Sequence, residues 1–195
     1  MALPTDSVAA NPRAAAAPAR LEHWRLFFAL DPSPALRRQI VAHAGTWRWN
    51  PGARISPADK LHLTLVFMAG VDPRCVPRLL RVGAQVAAAA RGCTLRLDRA
   101  AMWPGGIAHL APSVVPQALR VLQLELLAGV LDAGVEAERR AWNPHLTLAR
   151  KAQAAQPPVD FEPLRWQARS FSLQRSVLGT GRYEVIGSWR VGVST

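Results

Sequence analysis

His62-Leu63-Thr64-Leu65 and His145-Leu146-Thr147-Leu148 are one tetrapeptide occurring twice in the chain, and how these residues sit in the backbone decides the fold. Both settings read as β-strand. Successive side chains on a strand point to opposite faces, so Leu63 and Leu65 face one way while His62 and Thr64 face the other, roughly 6–7 Å apart along the strand. The second copy divides likewise, with Leu146 and Leu148 turned to a core and His145 and Thr147 to a cleft or solvent. Pro144 suits the start of a strand or an edge, where a missing N–H does no harm.

Working outward, Trp24 to Leu30 is a short apolar run stopped by Asp31-Pro32-Ser33-Pro34, the pattern of a buried strand leading into a helix. A helix is expected from Ala35 to about Gly45. Trp47 to Asp59 reads as a loop entering the first motif strand, which runs on to Met68. Pro77 to about Arg91 has the spacing of an amphipathic helix. Strands follow over Thr94–Leu97 and Ile107–Leu110, with Trp103-Pro104-Gly105-Gly106 as the turn between. Val114 to about Leu131 is the clearest helix, its Leu119, Leu122, Leu126 and Val130 lying at three- and four-residue spacings. After the second motif come a polar loop from Ala152 to Pro163 and two strands, Ala168–Leu178 and Tyr183–Val193, joined by a Gly-bearing hairpin loop.

Strands and helices thus recur in similar order on both sides of the middle, each half holding one motif. The expectation is an α+β, bilobal, pseudo-twofold duplication, with two antiparallel sheets and flanking helices around a central cleft. Residues 1–20, rich in Ala and Pro, read as a disordered tail without the apolar stretch of a secretory signal. Residues 21–195 read as a single bilobal domain.

Composition narrows the function. The 195-residue chain carries a formal net charge of +11, and all but Lys60 and Lys151 of its 24 basic residues are arginine. Such an excess favours an anionic partner, nucleic acid first, although a solvated arginine-rich surface would give the same count. Cys75 and Cys93 are the only cysteines, with no zinc-ligand spacing, so a reducing cytoplasm is expected and no metal or other cofactor. No run approaches the length of a membrane span, and a monomer is expected. The chain has neither a G-x-S-x-G nucleophile elbow nor a G-x-x-x-x-G-K-[ST] phosphate loop.

Two histidines facing one substrate can divide an in-line displacement at phosphorus. One neutral imidazole takes a proton from water; one imidazolium protonates the leaving alkoxide. A threonine two residues along the same face can donate its hydroxyl to a non-bridging phosphate oxygen. Taken singly, either motif is ordinary strand composition; the identical repeat gives the reading its weight. A clamp that only binds phosphate would use the same groups, so a non-catalytic RNA- or phosphate-binding module of the same fold is the alternative. A metallohydrolase using the histidines as ligands has no supporting carboxylate at a suitable spacing.

With these motifs the chain resembles the two-histidine phosphoesterase superfamily, and within it the RNA 2′,3′-cyclic phosphodiesterases, historically called 2′-5′ RNA ligases. The resemblance takes in Arg25 to Asp31, Leu61 to Leu65, Pro144 to Arg150, Phe171-Ser172-Leu173, Gly181-Arg182-Tyr183 and Trp189. It implies a central basic cleft and metal-independent hydrolysis of a terminal 2′,3′-cyclic phosphate to a 2′-phosphate, on RNA ends or cyclic nucleotides. It further implies His62 as general acid, His145 as general base, Thr64 and Thr147 on the phosphate oxygens, and Arg150 helping to hold phosphate. Strict alternation would put Arg150 opposite His145, so its reach into the cleft requires the strand to end or twist there.

Phe67 and Phe28, or Phe28's neighbour Phe27, are candidates to stack on a base, with core packing as the competing reading. Val66 stands where many relatives carry a more polar residue, and His109 where they often carry an aromatic. His109 is read as a strand or loop residue without a catalytic role, and His23 and His43 as surface residues.

Overall fold

The computed structural model describes residues 23–192, so the expected tail over 1–20 lies outside the described residues. Strand β1 (Trp24–Leu30) runs through the middle of the main sheet, and Leu26 to Leu30 are five consecutive buried residues. A strand covered on both faces needs apolar residues at every position, which explains why this segment does not alternate. Ser33 then caps α1 (Pro34–Ala44), its side chain accepting the Leu36 N–H at 3.2 Å, with Pro34 in the first turn.

Beyond α1 come β2 (Arg54–Ile55), β3 (Leu63–Val71) and α2 (Val76–Ala89), then β4 (Cys93–Leu97), β5 (Arg99–Trp103), β6 (Ile107–Ala111) and α3 (Gln117–Asp132). The chain closes with β7 (Leu146–Arg150), β8 (Leu164–Ala168), β9 (Ser170–Val177) and β10 (Arg182–Arg190). Two antiparallel sheets result, as the motif analysis predicts, but they are unequal. Eight strands form one sheet in the order β10-β9-β1-β3-β7-β6-β5, with β2 also on β7, while β4 and β8 make a two-stranded ribbon.

Both motif strands therefore lie in the large sheet. The last two strands, β9 and β10, return to the side of β1, so each lobe draws on distant parts of the chain. The helices α2 and α3 pack on each other, and α2 also lies on β10. Gly83 allows that contact, because a Cβ there would come within 2.5 Å of the Trp189 ring. The largest fully buried side chains include Trp166, Phe28 and Phe171. Burial of large apolar side chains is worth roughly 1.5–3 kcal/mol each.

Three strands escaped the sequence reading, among them the two-residue β2 inside the segment read as a loop. Arg99–Trp103 is weak in β-branched residues and is held as β5 by its pairing with β6. Leu164, Trp166 and Ala168 do alternate, and they place β8 against β4 where the sequence suggested only the approach to a later strand. His43 is also relocated. It is 7% exposed, accepts the Trp47 Nε1–H at 3.1 Å and packs on Phe161, so it is a satisfied core histidine rather than a surface one. Among the described residues no helix is long and apolar enough to cross a membrane.

Candidate active site

The two motif strands meet at one residue pair, Leu63 opposite Leu146, where β3 and β7 run antiparallel at their first residues. Both leucines are fully buried. Carrying that register one residue either way sets His62 across from Thr147 and Thr64 across from His145. Each histidine thus faces the threonine of the other motif.

Each motif strand then carries a β-bulge at the same place. The β1–β3 register slips between Phe28/Val66 and Ala29/Thr64, and the β6–β7 register slips between Ala108/Ala149 and His109/Thr147. An extra residue reverses strand parity locally. Leu65 and Val66 are consequently both buried, as are Leu148 and Ala149. The next residue of each copy, Phe67 in the first and Arg150 in the second, is turned back to the cleft face. This is how Arg150 reaches the site against strict alternation. Lys151, just beyond, takes φ 55° and ends the strand. Val66 is buried and does not line the cleft that holds the two histidines.

The cleft over this floor has a volume of about 440 Å³ and contains His62, Thr64, His145, Thr147, Phe67 and Arg150 together. Arg25, Arg54 and Lys60 add three more cations to its wall, and no carboxylate lines it. Phe27 and Tyr183 flank His62, with ring centroids at 4.9 and 5.4 Å. Phe28 does not belong here. It is fully buried among Phe171 and Trp189 on the other face of β1, because alternation gives the cleft to Arg25 and Phe27 and the core to Leu26 and Phe28.

Both catalytic candidates are oriented in the same way. The His62 Nδ1 lies 2.7 Å from the Lys60 carbonyl oxygen and the His145 Nδ1 2.8 Å from that of Asn143. A carbonyl only accepts, so each Nδ1 carries a proton and each Nε2 is left for chemistry. Burial holds both imidazoles below their ordinary value. For His62, the Lys60 carbonyl and Asp31 oppose that shift, whereas His145 and Arg150 add to it. For His145 only the Asn143 carbonyl opposes, and Arg150 adds to it. Asp31 itself is held by Ser172 Oγ at 2.5 Å and Gln174 Nε2 at 2.8 Å, both donated from β9.

His145 has a second setting. The Trp103 indole lies 4.3 Å from its ring and 4.2 Å from that of His109, which is 4% exposed on β6 opposite Thr147. His109 thus backs the site without entering the cleft lining. Arg25 was legible as a cleft residue from its parity with Phe27. Tyr183, Trp103 and Arg54 were not, because sheet pairing alone brings them here. Among the described residues no group of three or more His, Cys, Asp or Glu side chains is placed to hold a metal ion.

Two buried leucines that clasp symmetric His-x-Thr pairs beneath a cationic cleft define a two-histidine phosphoesterase. The sequence profile of the 2′-5′ RNA ligase superfamily matches residues 32–179. The chain belongs to that superfamily. The RNA 2′,3′-cyclic phosphodiesterase of Escherichia coli (strain K12) is 31% identical over 173 residues, 86% of this chain and 97% of that protein. That of Thermus thermophilus is 31% identical over 164 residues, covering 79% and 82%. The crystal structure of Escherichia coli LigT complexed with 3′-AMP superposes with a TM-score of 0.77 at 29% identity, covering 87% of this chain and 99% of LigT.

Proposed function

We propose that this protein is a metal-independent RNA 2′,3′-cyclic phosphodiesterase that opens a terminal cyclic phosphate to a 2′-phosphate. The observation that carries the reading is the Leu63–Leu146 pairing, which sets each histidine against the other motif's threonine on one cleft floor. The names of the relatives support the substrate class.

In this mechanism the His145 Nε2 takes a proton from water as the water oxygen attacks phosphorus. The P–O3′ bond breaks on the opposite side, and the His62 imidazolium gives its Nε2 proton to the departing O3′. Thr64 and Thr147 donate their hydroxyls to the non-bridging oxygens, and Arg150 offsets the charge that builds there. The roles are those that the family resemblance implies, and one asymmetry of the surroundings supports them. Asp31 favours a charged His62, whereas no carboxylate does so for His145. The aromatic pair Phe27 and Phe67, cross-strand partners on the cleft face, would stack on the substrate base. We assign residues 21–195 to a single bilobal domain acting as a monomer; the two free cysteines support a reducing, cytoplasmic setting.

The test is hydrolysis of an RNA oligonucleotide ending in a 2′,3′-cyclic phosphate, in excess chelator. Wild type should yield a 2′-phosphate end, and His62→Ala and His145→Ala should each lose at least about 100-fold in kcat. Wild-type rates in both variants would sink the mechanism. Binding without turnover would make the protein an RNA clamp, and activity dependent on added metal would make it a metallohydrolase.

A further inference from the structure

Away from the cleft, the β4–β8 ribbon carries charge that the mechanism does not use. Its strands run antiparallel, from Cys93 opposite Ala168 to Leu97 opposite Leu164, and their side chains divide between two faces. Leu95, Leu97, Trp166 and Ala168 are buried in the core that Phe28 enters from the far side of β1. The other face of the ribbon is turned to solvent, and none of its residues lines the cleft. On it stand Thr94, Arg96, Arg165 and Gln167, all exposed, with Arg96 directly opposite Arg165 and Thr94 opposite Gln167. Alternation carries the face on to exposed Arg169. The Val191 N–H donates to the Arg169 carbonyl at 3.0 Å, which brings the end of β10, with exposed Arg190, alongside.

Two arginines paired across strands repel one another, and a two-stranded ribbon has little stability of its own. The acids nearby give little relief. Asp98, on which Arg96 acts, has both carboxylate oxygens bonded to Ser113, one by its N–H at 2.7 Å and one by its hydroxyl at 2.7 Å. Glu162 lies outside the ribbon, two residues before β8. Among the described residues neither Arg96 nor Arg165 makes a side-chain hydrogen bond or ion pair. A bound polyanion would turn this local repulsion into attraction.

We propose that the outer face of the ribbon is a second RNA-binding surface, which holds the phosphate backbone in the body of a folded RNA while the cyclic end lies in the cleft. The inference rests on the RNA phosphodiesterase reading above and adds a docking surface to it. The chemistry of the face selects RNA. Arginines with a hydroxyl and an amide between them suit phosphate and ribose contacts, which position a strand without reading its sequence. No apolar side chain projects from the ribbon's outer face, as insertion into a lipid surface would need. Because ribbon face and cleft have no residue in common, a mononucleotide or short strand meets only the cleft, and only a long or folded RNA meets both.

The experiment measures binding of a folded hairpin RNA with a 3′-hydroxyl end, on which hydrolysis plays no part, between 50 and 200 mM salt. The double variant Arg96→Gln/Arg165→Gln should bind more weakly and flatten the slope of log K against log salt by about 1.4–1.8, as expected for two lost phosphate contacts. Arg96→Lys with Arg165→Lys keeps the charge and should keep the slope. Both double variants should turn over a nucleoside 2′,3′-cyclic phosphate at the wild-type kcat/KM. An unchanged slope in the glutamine pair would overturn the surface and leave the arginines as guards of the ribbon's open edges. An equal loss in the lysine pair, or a parallel fall in mononucleotide turnover, would also overturn it, by tracing the effect to altered folding rather than charge. Phosphatidylserine vesicles that depend on the two arginines more strongly than RNA does would overturn it too, by giving the face to a membrane. Failure of wild type to open any cyclic phosphate, with the slope change intact, would instead overturn the phosphodiesterase reading and leave the surface standing.

Discussion

Trp103 shows how a side chain outside the motif shapes the chemistry of one inside it. Its indole shields His145, and His109 supports it from behind. Burial is the main reason that His145 stays below the ordinary imidazole value. In the proposed mechanism His145 must be neutral to act as the base, so the acidic limb of a kcat/KM profile would mark where it takes up a proton. Trp103→Ala would admit water to the ring, raise its proton affinity and move that limb to higher pH. The alkaline limb, set by loss of the His62 proton, should stay in place, because Trp103 does not touch His62. A profile that scales down without shifting would show that the indole serves only as a wall. The residue scale was also where the sequence was least legible. Identical His-Leu-Thr-Leu motifs gave no means of telling acid from base, and Asp31, the carboxylate that acts on His62 and not on His145, comes from the end of β1.

At the scale of the strand, the bulges decide which residues face the substrate. Alternation alone, read from sequence, correctly separated His62 and Thr64 from Leu63 and Leu65, and His145 and Thr147 from their leucines. It failed past Leu65 and Leu148, because a bulge depends on pairing with a neighbouring strand and leaves no mark in a single sequence. Alternation also distinguishes Phe27 from Phe28 once β1 is seen as central, whereas an apolar run reads the same on both faces. The contrast between Phe28 and Phe67 can be measured. Phe28→Ala removes a fully buried ring from the core and should cost about 3–5 kcal/mol of stability, with kcat/KM per folded molecule close to wild type. Phe67→Ala removes a half-buried cleft ring, so its main effect should be a raised KM for RNA, by roughly 1–3 kcal/mol if the ring stacks on a base. Denaturant melts beside steady-state kinetics would separate the two. A large KM effect from Phe28→Ala would return that residue to the site.

At the scale of the whole molecule, the fold turns a diffuse arginine excess into a local field. The net charge of +11 left open whether the arginines were a solvated surface or a binding face. Sheet topology brings Arg25 from β1, Arg54 from β2 and Arg150 from β7 to one cleft beside Lys60, with no carboxylate in the lining. Part of the charge is therefore focused where phosphate would lie, on a face that belongs to neither half of the sequence alone. Cations that displace counterions from a single-stranded backbone give log K a slope of about −0.7 per phosphate contacted against log salt. An RNA strand with a cyclic end should therefore lose kcat/KM more steeply between 50 and 200 mM salt than a nucleoside 2′,3′-cyclic phosphate, which offers one phosphate only. Substituting Arg54, which lies on the rim opposite Arg150 in the β2–β7 pair, should test whether the strand follows this path. Arg54→Ala should flatten the slope for the RNA by about 0.7 while leaving that of the mononucleotide nearly unchanged. Equal slopes for both substrates in wild type would mean that only the terminal phosphate meets the cleft, and that the remaining arginines are surface charge after all.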